Sequence, residues 1–138
     1  MHVFVTGATG WVGSVVVDEL VRAVHRVTGL VRSDEKAAAL AAAGASALRG
    51  GLDDLDALRR GAGDADAVVH TAFDHDFSRF AASCEQDRRA IEALERSADE
   101  PHRDAATELD EDPRSGGLEG WWSARLVTAH PSRLNTLR

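Results

Sequence analysis

Three glycines at intervals of three, Gly7, Gly10 and Gly13, lie where a short β-branched run gives way to a helical pattern. No other feature narrows the possible folds as much. The run Val3 to Thr6 is apolar almost throughout, as expected of a strand covered on both faces. Beyond it, Val12, Val16, Leu20 and Val24 recur at intervals of four, with Val17 and Val21 widening the stripe, which predicts an amphipathic helix. Glycines in a strand-to-helix turn have separate uses. Gly7 permits the tight turn, Gly10 lets backbone approach a pyrophosphate, and Gly13 allows the helix to pack closely on the strand. The first helical turn then presents unpaired N–H groups and the positive end of its dipole to phosphates. A Gly-rich turn that binds nothing is the alternative. The flanking strand and helix, and a second strand at the right distance, favour a dinucleotide site.

The same rhythm continues through the first hundred residues. Val27 to Val31 reads as a second strand, and Ser33 and Asp34 as caps of an alanine-rich helix near Glu35 to Ala43, closed by Gly44. Ala45 to Leu48 reads as a third strand, with Asp53 or Asp54 starting a short helix that ends before Gly61. Ala67 to Thr71 is the fourth strand. A longer helix follows from about Phe77 to Ala98, with Phe80, Cys84, Ile91 and Leu94 on one side. Alternating strands and helices predict an α/β fold with a parallel sheet, flanked by helices through right-handed crossovers. From about Asp99 the chain loses its period, and the polar stretch through Asp110-Glu111-Asp112-Pro113 and Gly116-Gly117 reads as irregular. Trp121-Trp122 and Leu126-Val127 form a short apolar island within it. The expected organisation is therefore a domain over residues 1–98 and an irregular tail over 99–138. The sheet is incomplete at about four strands. Without a legible fifth strand one sheet edge is expected to be unpaired, which favours a homodimer.

Composition excludes several classes of function. With 138 residues, the chain has the length of one domain. Its 16 Lys and Arg against 23 Asp and Glu leave a net charge of −7, which argues against nucleic-acid binding. The single cysteine, Cys84, excludes an internal disulfide and reads as a small core residue on the long helix. No apolar run approaches the ~18 residues of a membrane span, and no signal peptide is legible, so a cytoplasmic location is expected. His70, Asp74, His75 and Asp76 could ligate a metal by type, but they lack metal-site spacing and read as a substrate-side loop; no metal site is expected. Most restrictive of all, the chain contains no tyrosine, and Lys36 is its only lysine.

Thr6 to Gly13 resembles the TGxxGxxG fingerprint of the extended and atypical short-chain dehydrogenase/reductases, the NAD-dependent epimerase/dehydratase group. Val68-Val69-His70-Thr71-Ala72 resembles that group's fourth strand, and Phe73 to Ile91 the loop and helix that follow in one atypical branch. The likeness covers the first two-thirds of the chain. It implies the N-terminal, Rossmann-like part of an NAD(P)-dependent oxidoreductase or epimerase/dehydratase. The expected cofactor-binding residues are Gly7, Thr9, Gly10, Trp11, Val12, Gly13, Arg32, Ser33, Leu52, Asp53, Thr71 and Ala72.

Where an NAD-binding protein places a carboxylate after the second strand, this chain has Val31, Arg32 and Ser33, which favours NADP with NAD still possible. Members of the group often carry Gly-Asp-Leu after the third strand, but here Gly51 stands in the Asp position. The group's chemistry runs through a Tyr-x-x-x-Lys pair, which this composition cannot supply. The expectation is thus a truncated relative lacking the catalytic pair. The alternative is a non-catalytic dinucleotide-binding module, or a fragment with no independent activity. The substrate is not legible.

Overall fold

The computed structural model describes residues 1–98 and a short strand at 125–127. Four strands, β1 (His2–Thr6), β2 (Arg26–Val31), β3 (Ser46–Arg49) and β4 (Ala67–His70), form a parallel sheet in the order β3-β2-β1-β4. They alternate with α1 (Trp11–Arg22), α2 (Asp34–Ala42) and α3 (Leu55–Asp64). A single 3-10 turn at Phe77–Arg79 leads into α4 (Phe80–Ala98). The α/β expectation holds, with a Rossmann-like arrangement. One detail differs: β5 (Arg125–Val127), within the stretch read as irregular, pairs antiparallel with β4 along the edge expected to be free. Three residues are too few for a period, and only the likeness of Arg125-Leu126-Val127 to the sixth strand of the resembling group points to a strand here. The expectations for 99–124, including the missing fifth strand and Trp121-Trp122, lie outside the described residues.

The strands alternate between two apolar layers. Val3, Val5, Val27, Val31, Ala67 and Val69 pack toward Val17 of α1 and Leu40 of α2. Phe4, Leu30 and Val68 point to the other side, against Leu58 and Ala62 of α3 and Ala90 and Leu94 of α4. Both faces of the sheet are covered, which is why the strands read as nearly unbroken apolar runs. Gly29 brings α2 close, because a Cβ there would lie 2.5 Å from Leu40.

Several boundaries differ from the sequence reading for packing reasons. α3 does not end before Gly61 but runs through it to Asp64; the glycine serves packing there, since a Cβ would lie only 2.3 Å from the Phe4 ring. Cys84 is exposed rather than in the core. The buried stripe of α4 is Ser83, Ala90, Ala93 and Leu94, rotated from the one expected, and Phe80 is 41% exposed. The outer face of α4 is an ion-pair ladder. Glu85 accepts from Arg88 and Arg89, and Arg88 also reaches Glu92. The Arg88 hydrogen bond, followed by that of Arg89, holds the Glu85 carboxyl down to about 2.

Val24, expected on the α1 stripe, lies past the helix end and is 90% exposed. α1 and α2 terminate identically. His25 N–H donates to the Leu20 carbonyl and Val24 N–H to that of Val21; Ala45 and Gly44 repeat the pattern on Leu40 and Ala41. This closure requires a left-handed residue after the cap. In α2 it is Gly44 at φ +84°, but in α1 it is the β-branched Val24 at φ +63°. Val24→Gly should relieve that strain and raise stability by about 1 kcal/mol after the extra chain entropy of glycine is offset. Urea unfolding followed by circular dichroism measures it. A destabilised variant would show that Val24 is held by contacts that outweigh the strain.

Candidate functional site

A cleft of about 470 Å³ opens along the C-terminal ends of β1 to β4. It lies where the chain reverses direction across the sheet, between β1 and β4, the position at which open α/β sheets hold ligands. The glycine turn forms its floor. Gly7 has φ +67°, and a Cβ on it would come within 2.8 Å of both Ala72 N and Thr71 Oγ1. A Cβ on Gly13 would lie 1.9 Å from the Gly7 carbonyl oxygen, so α1 starts as close to the turn as backbone permits. Gly10 N–H donates to the Gly7 carbonyl at 2.9 Å, and the Gly10 carbonyl accepts from Ser14 N–H to begin the helix.

The start of α1 differs from those of α2 and α3. Ser33 caps α2 by accepting from Lys36 N–H, and Asp54 caps α3 by accepting from Ala57 N–H. The N-cap of α1 is Gly10, with no side-chain cap and no acidic residue in the first turn. The first N–H groups of α1 therefore have no side-chain acceptor, and they begin at residues lining the cleft. That arrangement suits an anion.

At the β2 end, Arg32 and Lys36 both line the cleft. The aliphatic stem of Arg32 passes over Gly51, with Cγ and Cδ 3.9 and 3.8 Å from where a Cβ would stand. Neither cation forms an ion pair among the described residues. Asp53 is held by the Gln86 side-chain amide of α4, which donates to it at 2.7 Å. At the β4 end, Thr71, Ala72, Phe73, Asp74 and His75 complete the lining, with the His75 and Phe73 rings edge-on at 5.5 Å.

Eleven of the twelve expected binding residues line this cleft. Ser33 does not; its side chain is committed to the α2 cap. Sequence reading did not single out Lys36, Phe73 or Gln86 as lining residues. For Lys36 a signal existed, since it is a second cation close behind Arg32, in the first turn of α2. Gln86 carried none, because nothing local says that α4 crosses the cleft. Nor do the histidines and carboxylates of the β4 loop converge. His70 is buried beneath the loop, bonded to Thr6 and Asp87, while Asp74 and Asp76 accept from backbone N–H groups of their own turn. A hydrogen bond from the Ser78 hydroxyl, then one from its N–H, hold the Asp76 carboxyl below the usual range. Among the described residues no three metal-capable side chains come together.

Residues 7–100 match the family described as NAD(P)H-binding. The chain belongs to that family. It is 52% identical over 94 residues to the uncharacterized protein C2A9.02 of Schizosaccharomyces pombe, a match covering 68% of this chain and 32% of that protein. The uncharacterized protein YLL056C of Saccharomyces cerevisiae is 48% identical over 96 residues, with the same coverage. Among solved structures, the NADPH-dependent quinone oxidoreductase QOR2 of Escherichia coli, complexed with NADPH, is similar at 26% identity and a TM-score of 0.58. That match covers 69% of this chain and 33% of QOR2. The chain thus spans about a third of the length of the relatives it matches.

The Gly10 backbone, at φ −78° and ψ 175°, is open to any residue, and an added Cβ would meet only the Gly7 carbonyl oxygen at 3.2 Å. Gly10→Val should therefore fold yet lose NADPH binding, because the branched side chain takes the space before the α1 N–H groups. Gly13→Ala should lose both. Circular dichroism and NADPH titration separate the two outcomes; unchanged affinity in Gly10→Val would place the phosphates elsewhere.

Proposed function

We propose that this chain is the NADP-binding part of a short-chain dehydrogenase/reductase-like oxidoreductase. The observation that carries this reading is the uncapped start of α1 facing a cleft whose far end holds two cations with no ion-pair partner among the described residues. The backbone of Gly7, Thr9, Gly10, Trp11, Val12 and Gly13 would hold the pyrophosphate. Arg32 and Lys36 would hold a 2′-phosphate, Leu52 and Asp53 the adenosine side, and Thr71 and Ala72 the nicotinamide side. Gly51 supports NADP over NAD: an Asp there would stand beside the Arg32 stem and neutralise the charge a phosphate needs. The bound NADPH of QOR2 points the same way. When held in this cleft, the cofactor would supply a hydride.

Arg32→Asp turns a charge-assisted contact into a repulsion. NADPH affinity should fall on the order of tenfold or more, with NADH unchanged or improved. Fluorescence titration with each dinucleotide reads this directly, helped by Trp11 at the cleft. An unaltered preference would show Arg32 to be merely solvated.

A second reading concerns chemistry. Without tyrosine, and with Lys36 in α2 at the opposite end of the cleft from Thr71, these residues cannot form the Tyr–Lys pair of the group. That favours a module that binds the dinucleotide without turning it over. The chain alone should consume no NADPH with quinone or ketone acceptors. Turnover that disappears in His75→Ala would overturn this and make His75 the acid.

A further inference from the structure

The one fully buried histidine among the described residues joins α4 to the cleft. His70 closes β4 and is 2% exposed. Its Nε2–H donates to the Asp87 carboxylate of α4 at 2.8 Å, because a carboxylate can only accept. In the neutral ring Nδ1 is then an acceptor, and it takes the hydroxyl hydrogen of Thr6 at 2.6 Å. The same Thr6 oxygen retains a lone pair facing Ala72 N–H at 3.5 Å, while the Thr6 carbonyl accepts from the Thr71 hydroxyl at 2.7 Å and from Thr71 N–H. The hydrogens run in one direction, from Ala72 through Thr6 and His70 to Asp87, and none is left over.

Asp87 and His70 do not line the cleft, but both residues at the end of this chain of bonds do. Thr71 and Ala72 also abut Gly7 with no room for a methyl group, so a shift in either displaces the glycine turn. If Asp87 is lost, His70 Nε2–H is left buried without an acceptor. The ring then either moves away from Thr6 or carries its proton on Nδ1, which reverses the bond to the Thr6 hydroxyl; both disturb Thr6 and the residues bonded to it. We propose that Asp87 and His70 are positioning residues that act through Thr6 to hold Thr71 and Ala72 against the nicotinamide half of the cofactor. This rests on the NADP reading above. It separates the two halves of the cleft, since Arg32, Lys36, Leu52 and Asp53 lie on the other side of β1.

The test compares two ligands on the full chain by calorimetric titration: NADPH, and 2′-phosphoadenosine 5′-diphosphate, which lacks the nicotinamide riboside. Asp87→Ala removes the acceptor at a partly exposed helical position, and Thr6→Val breaks the chain of bonds at its other end without changing shape. Each should weaken NADPH by about tenfold and the fragment by less than about twofold. Asp87→Asn keeps an acceptor for Nε2–H and should restore NADPH affinity. The double variant should be no worse than the poorer single one, because the groups act as a unit. A merely structural role predicts parallel losses for both ligands that follow the unfolding midpoint, and that result overturns the proposal, as does unchanged NADPH affinity. Failure of the unsubstituted chain to bind either ligand overturns the NADP reading and this inference with it.

Discussion

The contact between the first residues of α1 and the carbonyl of Gly7 governs the geometry of the cleft. It is a backbone-to-backbone approach that only glycine at position 13 permits. Gly7 itself is left-handed and lies against Thr71 and Ala72, so the start of α1 comes to line the cleft. The missing side-chain cap then becomes intelligible. A Ser or Asp at position 10 would satisfy the helix internally, as Ser33 and Asp54 do for α2 and α3. Gly10 leaves those N–H groups to a ligand, at a cost in apo stability of only about a few tenths of a kcal/mol.

The local field in the cleft runs against the charge of the whole chain. A net charge of −7 would repel a phosphorylated dinucleotide at long range, yet the cleft gathers Arg32 and Lys36 at one end. Neighbouring carboxylates are drawn elsewhere. Asp34, at the start of α2, pairs with Arg49 at 2.6 Å, and Asp53 is turned to Gln86. Short-range pairs in a partly desolvated cleft outweigh a net charge screened within about 8 Å at physiological salt.

Residues beyond the glycine turn divide the site into two halves with different supports. One half rests on loops after β2 and β3, steadied by helix caps and by Gln86. The other rests on β4 and on the buried bonds of His70. In the relatives this region occupies about a third of the chain.

The α/β class, the four parallel strands, the cofactor family and most of the cleft lining were legible in the sequence. Each depends on local pattern: strand composition, helical period and glycine spacing act within a few residues of one another. Much of what proved illegible depended on residues far apart in the chain. The glycine within α3 at position 61 is explained by the Phe4 ring, and the exposure of Cys84 by how α4 is rotated on the sheet. Two misses were local instead: the left-handed Val24 is set by the closure of α1 on Leu20 and Val21, and Lys36 stands in the first turn of α2 at the cleft edge. Sequence read His70 with Asp74 and His75, its neighbours along the chain. Folding parted them by burying His70 between Thr6 and Asp87, because a polar ring excluded from water must find partners wherever the packing supplies them.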